Sequence, residues 1–434
     1  MTVAAPALEQ TPSAAVRGSG YVQAVILIVA GVLATTLAQP QVLARLPLSN
    51  LMKNELHLSR STVSGFFFLC GLPWYFKPLV GIITDAFPVL GSRRRIYIVV
   101  SAALAAAGWV AMLLAPHQYQ PWFWLCMLIN VFMVFTSTVV GGFMVEIAQA
   151  SASSGRLSSI RNIAQGCVQF VNAPAAGYLA SIAFGWTAGI CGVVILALVP
   201  AAWLLLREER RRVDSQQVLA NFGLQFSNIA TARTLWAAAA LTLLVYIAPG
   251  FATALFYRQQ NELHMTTVDQ GYLGLVASML AAGAPVAYIL ACRRYSLRTM
   301  LSACIGLHGL TVIAYVFYTS VANAYAISAL NAFTGTLGEV ALMDLAVRAT
   351  PRGSESLGFA LMVSVRNFAL FGTDWLGSLM LDNWKLPFAD LVYANAATTL
   401  IAAPLVFLLP RALVRRKDAE VLETFPEPAT QMQD

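Results

Sequence analysis

Charge is what this sequence has least of: only 11% of its 434 residues are Asp, Glu, Lys or Arg. An ordinary soluble domain carries about 25%, so a water-facing globule is excluded. Cysteine is equally uninformative as chemistry. Cys70, Cys126, Cys167, Cys191, Cys292 and Cys304 sit in or beside apolar runs with no C-x-x-C pair, which leaves them as small packing residues. The four histidines, His57, His117, His264 and His308, are scattered, and no acid pair or nucleophile motif accompanies them. An enzyme is therefore not expected, nor a metal or any cofactor, and His308 reads as a satisfied core residue. The first twenty residues hold one cation, Arg17, and no apolar core of their own, so no cleaved signal or transit peptide is expected.

What is present is hydrophobicity: 58% of the chain is apolar or aromatic. A bilayer crossing needs about 20 such residues. Twelve runs fit, at 21–44, 61–84, 96–115, 121–145, 157–184, 185–206, 235–257, 270–292, 297–317, 322–347, 355–381 and 387–409. The segment 45–60 is expected to be an outside loop. A hydrophilic stretch at 207–233, opening Arg207-Glu208-Glu209-Arg210-Arg211-Arg212, divides the chain into halves at 21–206 and 234–410, with polar tails at 1–20 and 411–434. Of the 27 Lys and Arg, about 19 then fall on one side, about 5 on the other and about 3 inside. That asymmetry makes the linker and both termini cytoplasmic. The net charge of +7 thus reports topology rather than a nucleic-acid partner.

A repeat supports two related halves. Gly155-Arg156-Leu157-Ser158-Ser159-Ile160-Arg161-Asn162 in span five matches the end of 358–367 in span eleven, where Ser364-Val365-Arg366-Asn367 again puts an arginine within the bilayer.

The densest signal runs from Pro73 to Tyr97, as P-W-x-x-K-P-L-x-G-x-x-x-D-x-x-P-x-x-G-x-R-R-R-x-Y. One lysine, Lys77, stands in an apolar run that ends at Asp85, a tight loop through Pro88 and Gly91, and Arg93, Arg94 and Arg95. This spacing resembles the signature of the folate–biopterin transporter family of the major facilitator superfamily. Phe256 to Leu263 with Gly271 and Gly274, and Glu355 to Asn367, are similar to the family's seventh and eleventh spans. The resemblance implies an all-α membrane fold of twelve helices in two pseudo-symmetric bundles, moving folate- or pterin-like organic anions. One departure stands out. The family pattern has an acid five residues before the glutamate matching Glu146, and this chain has Gly141.

Charges inside a membrane are costly unless paired or facing water, so they mark function. Lys77, Arg161 and Arg366 fall at similar depth, Lys77 about 12 Å from its helix end. Converging on one cavity they would hold a carboxylated aromatic; the rival reading pairs Arg366 with Glu339 and Arg161 with Glu146. Gln39, Tyr246 and Asn331 are further candidate substrate contacts, and Thr35, Thr36, Asn130 and Thr138 are weaker ones, all equally explained by helix packing. Glu339 is the expected proton-coupling acid, with Glu146 beside it and Asp344 and Asp374 also available. Asp85 with Arg93, Arg94 and Arg95 reads as a gate between the halves. The expectation is a monomeric secondary transporter in a prokaryotic cytoplasmic membrane, whose partners are a small anionic substrate and the lipid bilayer. Alternatives are a carrier for another carboxylated metabolite and a non-transporting sensor of the same fold.

Overall fold

The computed structural model describes residues 19–87, 89–92, 94–150, 154–206, 223–224, 226–292, 294–351 and 355–415. Among them the regular elements are helices. The first half contains α1 (Ser19–Leu37), α2 (Arg45–Asn54), α3 (Arg60–Cys70), α4 (Leu72–Tyr75), α5 (Lys77–Ala86), α6 (Arg95–Leu114), α7 (Tyr119–Ala150), α8 (Ser154–Leu179), α9 (Phe184–Leu196) and α10 (Leu198–Leu205). The second contains α11 (Arg233–Tyr246), α12 (Ala252–Asn261), α13 (Thr267–Cys292), α14 (Leu297–Val312), α15 (Val321–Ala349), α16 (Glu355–Asp382), α17 (Phe388–Leu405) and α18 (Arg411–Val414).

Seven of these passes are long and apolar enough to cross a bilayer, and two shorter apolar helices, Tyr21–Leu37 and Arg233–Tyr246, begin the two halves. The three other passes marked by the sequence, spans two, five and eleven, are α3 to α5, α8 and α16. Span two is broken into short helices, and spans five and eleven carry Arg161 and Arg366 among other polar residues. Most of the linker at 207–233 lies outside the described residues.

Spans one and seven are each broken. Proline lacks the N–H that a helix needs and clashes with the preceding turn. Pro40 accordingly ends α1, and Pro249 falls in the gap between α11 and α12. The expected outside loop at 45–60 is corrected here: Arg45–Asn54 is a helix that buries Pro47, Leu48, Ser49, Leu51 and Met52. Its apolar residues recur at helical spacing, and its five polar side chains, Arg45, Ser49, Asn50, Lys53 and Asn54, hid that pattern.

Both broken spans end in one motif. Asn54-Glu55-Leu56-His57-Leu58-Ser59 is echoed by Asn261-Glu262-Leu263-His264-Met265-Thr266. The histidines share a left-handed backbone, φ 51° and 52°. Each motif closes its helix with matching bonds, Leu58 N to Met52 O at 3.0 Å and Met265 N to Gln259 O at 2.9 Å. Ser59 and Thr266 then cap the next helix by accepting from Thr62 N and Asp269 N. A duplicated six-helix unit accounts for this agreement in sequence and geometry together.

One apolar core fills the first half around Trp109, Trp122, Phe66 and Phe67, and two smaller cores fill the second. Large side chains such as Trp124, Trp186, Leu290 and Leu408 lie on the outside, as lipid-facing residues do. We term "outer" the end that carries the two histidine motifs.

Candidate substrate site

Span two bends twice, because Pro73 and Pro78 each remove a helical hydrogen bond. The second bend makes Lys77 the first residue of α5 and turns its side chain toward α7. There its ammonium donates to Ser137 Oγ at 3.0 Å and lies 5.4 Å from the ring centre of Trp74. Arg161, from α8, is close enough for its charge to act on that ammonium. Among the described residues no carboxylate contacts either cation. Two like charges at such a site repel and are poorly solvated, an arrangement that an anion would relieve. The side chain of Glu146, the proposed partner of Arg161, lies outside what is described.

The third cation is held differently. Arg366 Nη2 meets Glu339 Oε1 at 2.6 Å across spans ten and eleven, and its guanidinium also contacts Tyr246 and Asn367. Tyr246 is therefore a partner of Arg366, with the cation 5.7 Å from its ring centre. The side chain of Glu339 remains 39% exposed against 22% for Arg366, so the acid is reachable.

The remaining candidates separate by what they touch. Gln39 lies in the break of span one and donates to Thr35 O at 2.6 Å. Asn331 is buried and donates to Thr311 O and Ile327 O, bracing spans nine and ten. Asn130 spends both ends of its amide on span two, at Cys70 O and Trp74 Nε1. Asp344 is clamped by Arg348 and accepts from Tyr288. His308 is bonded to Thr334, as a core histidine should be.

Of the proposed gate, Arg93 and the side chain of Asp85 lie outside the described residues. Arg94 is buried against Gly142 of span four, and Arg95 stacks 4.9 Å from the ring centre of Trp203 in span six. Arg298 repeats that last contact on Phe407 in the second half, at 5.5 Å. These are contacts within a half.

Contacts between the halves that sequence reasoning missed lie at the outer end. Arg45, at the start of α2, bonds Asp374 Oδ2 at 3.3 Å, while both oxygens of that carboxylate also accept from Thr253 at the start of α12. The Arg45 guanidinium lies between Phe67 and Phe371. Arg60 pairs with Asp382 at 2.8 Å. Lys53 donates to Gln260, its counterpart in the repeated motif, and Tyr257 OH donates to Leu58 O. Phe68, Tyr75, Phe368 and Trp375 form an aromatic seam between spans two and eleven, with ring centres 5.4 to 5.8 Å apart. Spans five and eight meet backbone to backbone at Gly177 and Gly271, where any Cβ would collide. Lys77 and Arg366 each lie a short step inward of that seam, two residues from Tyr75 and Phe368. The only usable sign in the sequence was the repeated Asn-Glu-Leu-His.

Comparison with known proteins agrees with this architecture. The model of the BT1 family matches residues 40–424. A folate-biopterin transporter from Synechocystis is 26% identical over 89% of this chain and 82% of its own, and folate transporter 1 of Plasmodium falciparum is 21% identical over 85% and 75%. Among solved structures, a D-xylose–proton symporter superposes with TM-score 0.68 at 13% identity, and the POT family transporter PepTSo with 0.69 at 15%. Each comparison covers 90% of this chain and 98% of the other. The fold is that of major facilitator transporters.

Proposed function

The chain belongs to the BT1 family and is a multi-pass membrane transporter, and on that premise we propose that it moves a folate- or pterin-like organic anion by alternating access. The observation that carries the reading is the pair Lys77 and Arg161, two internal cations brought together with no carboxylate in contact among the described residues. A substrate carboxylate supplies the missing charge, held bidentately by the guanidinium and as a point charge by the ammonium. The names of the two relatives supply folate and biopterin as the substrate class. Membership of a transporter family sets aside the sensor alternative.

The outer contacts support an outward-sealed arrangement, with the substrate pair below an aromatic seam and the Arg45–Asp374 bond above it. Opening outward requires that bond to break. Glu339 supports proton coupling: its carboxylate holds Arg366, and protonation frees the arginine for substrate. Arg366 then joins the site only in the protonated form. The asymmetry of Lys and Arg supports an orientation with both termini on the cytoplasmic side.

A different carboxylated metabolite is the second reading, favoured by Gly141. Open space surrounds its Cβ position, where the family pattern carries an acid. Counterflow of labelled folate in proteoliposomes separates the two. Folate exchange that Lys77→Ala abolishes supports the first; exchange of other carboxylates with none of folate supports the second.

A further inference from the structure

We infer that Asn130 is a positioning residue that fixes the Lys77 ammonium by locking the bend of span two around Trp74. The inference rests on the anion reading above, since it concerns how that charge is presented.

The bend leaves a backbone group that the helix does not satisfy. Trp74 N donates to Gly71 O at 2.9 Å, a tighter turn than an α-helix makes, so the carbonyl of Cys70 loses its expected donor. Asn130 Nδ2 replaces it at 2.8 Å. The other end of the same amide accepts from Trp74 Nε1 at 3.0 Å. One side chain on α7 thus holds the backbone before the bend and the indole after it. Asn130 is fully buried, with no surface left for a substrate.

The held indole then faces the cation. Lys77 lies over the Trp74 ring, attracted to its π face, and reaches Ser137, which follows Asn130 by two turns on the same side of α7. Without the Asn130 amide, the Cys70 carbonyl and the Trp74 N–H are both orphaned inside the protein, and the bend relaxes to satisfy them. The ammonium moves with it. Tyr75, whose hydroxyl donates to Phe68 O at 2.9 Å, ties the outer side of the same bend and does not touch the cation.

A brace that only stabilises the fold would affect every substrate equally. The test is transport of folate and of a carboxylate-free pterin by Asn130→Leu, which removes both bonds, and by Trp74→Phe, which keeps a ring under Lys77 but removes its N–H. Each variant is expected to raise KM for folate about tenfold, to hold Vmax within about twofold, and to leave KM for the neutral pterin unchanged. Equal KM changes for both substrates, or a loss confined to Vmax, would overturn the inference. If Asn130→Leu does not fold, Trp74→Phe decides alone. Lys77→Ala serves as reference. A wild-type folate KM there refutes the anion site itself, whereas a raised KM there with wild-type values in Asn130→Leu and Trp74→Phe refutes only the positioning role.

Discussion

The two halves descend from one pattern yet treat their internal cations in opposite ways. In the first, Lys77 and Arg161 lie together and the polar contact described is a neutral serine. In the second, Arg366 is already neutralised by Glu339 and flanked by Tyr246. On the proposed function, this difference would divide the labour of transport. The half with uncompensated charge would attract the anion, and the half with an internal carboxylate would exchange a proton for it. A symmetric pair of compensated arginines would bind nothing; a symmetric pair of uncompensated ones would hold the anion and have no acid to release it.

Breaking the first half should have the largest effect. Lys77→Ala is expected to lower folate uptake at least about 100-fold with normal amounts of protein in the membrane, because an ion held in a low-dielectric site loses its nearest counter-charge. Arg161→Ala should follow, at about 30-fold. Placing the second half's solution in the first, as Ser137→Glu, should neutralise Lys77 internally and depress uptake by a similar factor; unchanged uptake in that variant would mean that the cation pair has no part in binding.

The second half sharpens the comparison through the proton gradient. With Glu339 as the coupling acid, an imposed proton gradient should drive wild-type uptake. Glu339→Gln, which has no proton to exchange there, should lose that gradient-driven uptake while still supporting folate exchange. A response to the gradient equal to wild type would place coupling on another acid.

Smaller effects belong to contacts outside the site. Asp374→Asn weakens the buried bond that joins Arg45 to the second half. It should raise labelling of an outer cysteine, introduced as Phe68→Cys, by about threefold with a membrane-impermeant maleimide. Asn331→Ala removes one donor contact from span ten to span nine, at Thr311 O, and one within span ten, at Ile327 O. About 1 kcal/mol of stability is expected to go, read as a lower unfolding temperature, with folate KM unchanged.

How much of this was legible follows from what each residue contrasts with. Lys77 could be found because a lone charge in an apolar run is conspicuous, and the pairing of Arg366 with Glu339 could be anticipated because both lie on adjacent passes. Asn130 was legible only as a polar residue in a helix; its role depends on a carbonyl set free by a bend in another span. The outer bond was hidden for two reasons. Its partners are 329 residues apart, and Arg45 begins a helix whose polar side chains read as a loop. The repeated Asn-Glu-Leu-His stood in plain sight, but its meaning is a left-handed histidine that ends each broken span, and backbone geometry is not written in composition.

Equilibrium binding of folate to purified Lys77→Gln, set beside a pterin without carboxylates, tests the central claim most directly. Loss of folate binding with the neutral pterin bound as by wild type is the predicted result. Equal affinity of wild type and variant for folate, or an equal loss for both ligands, would contradict it.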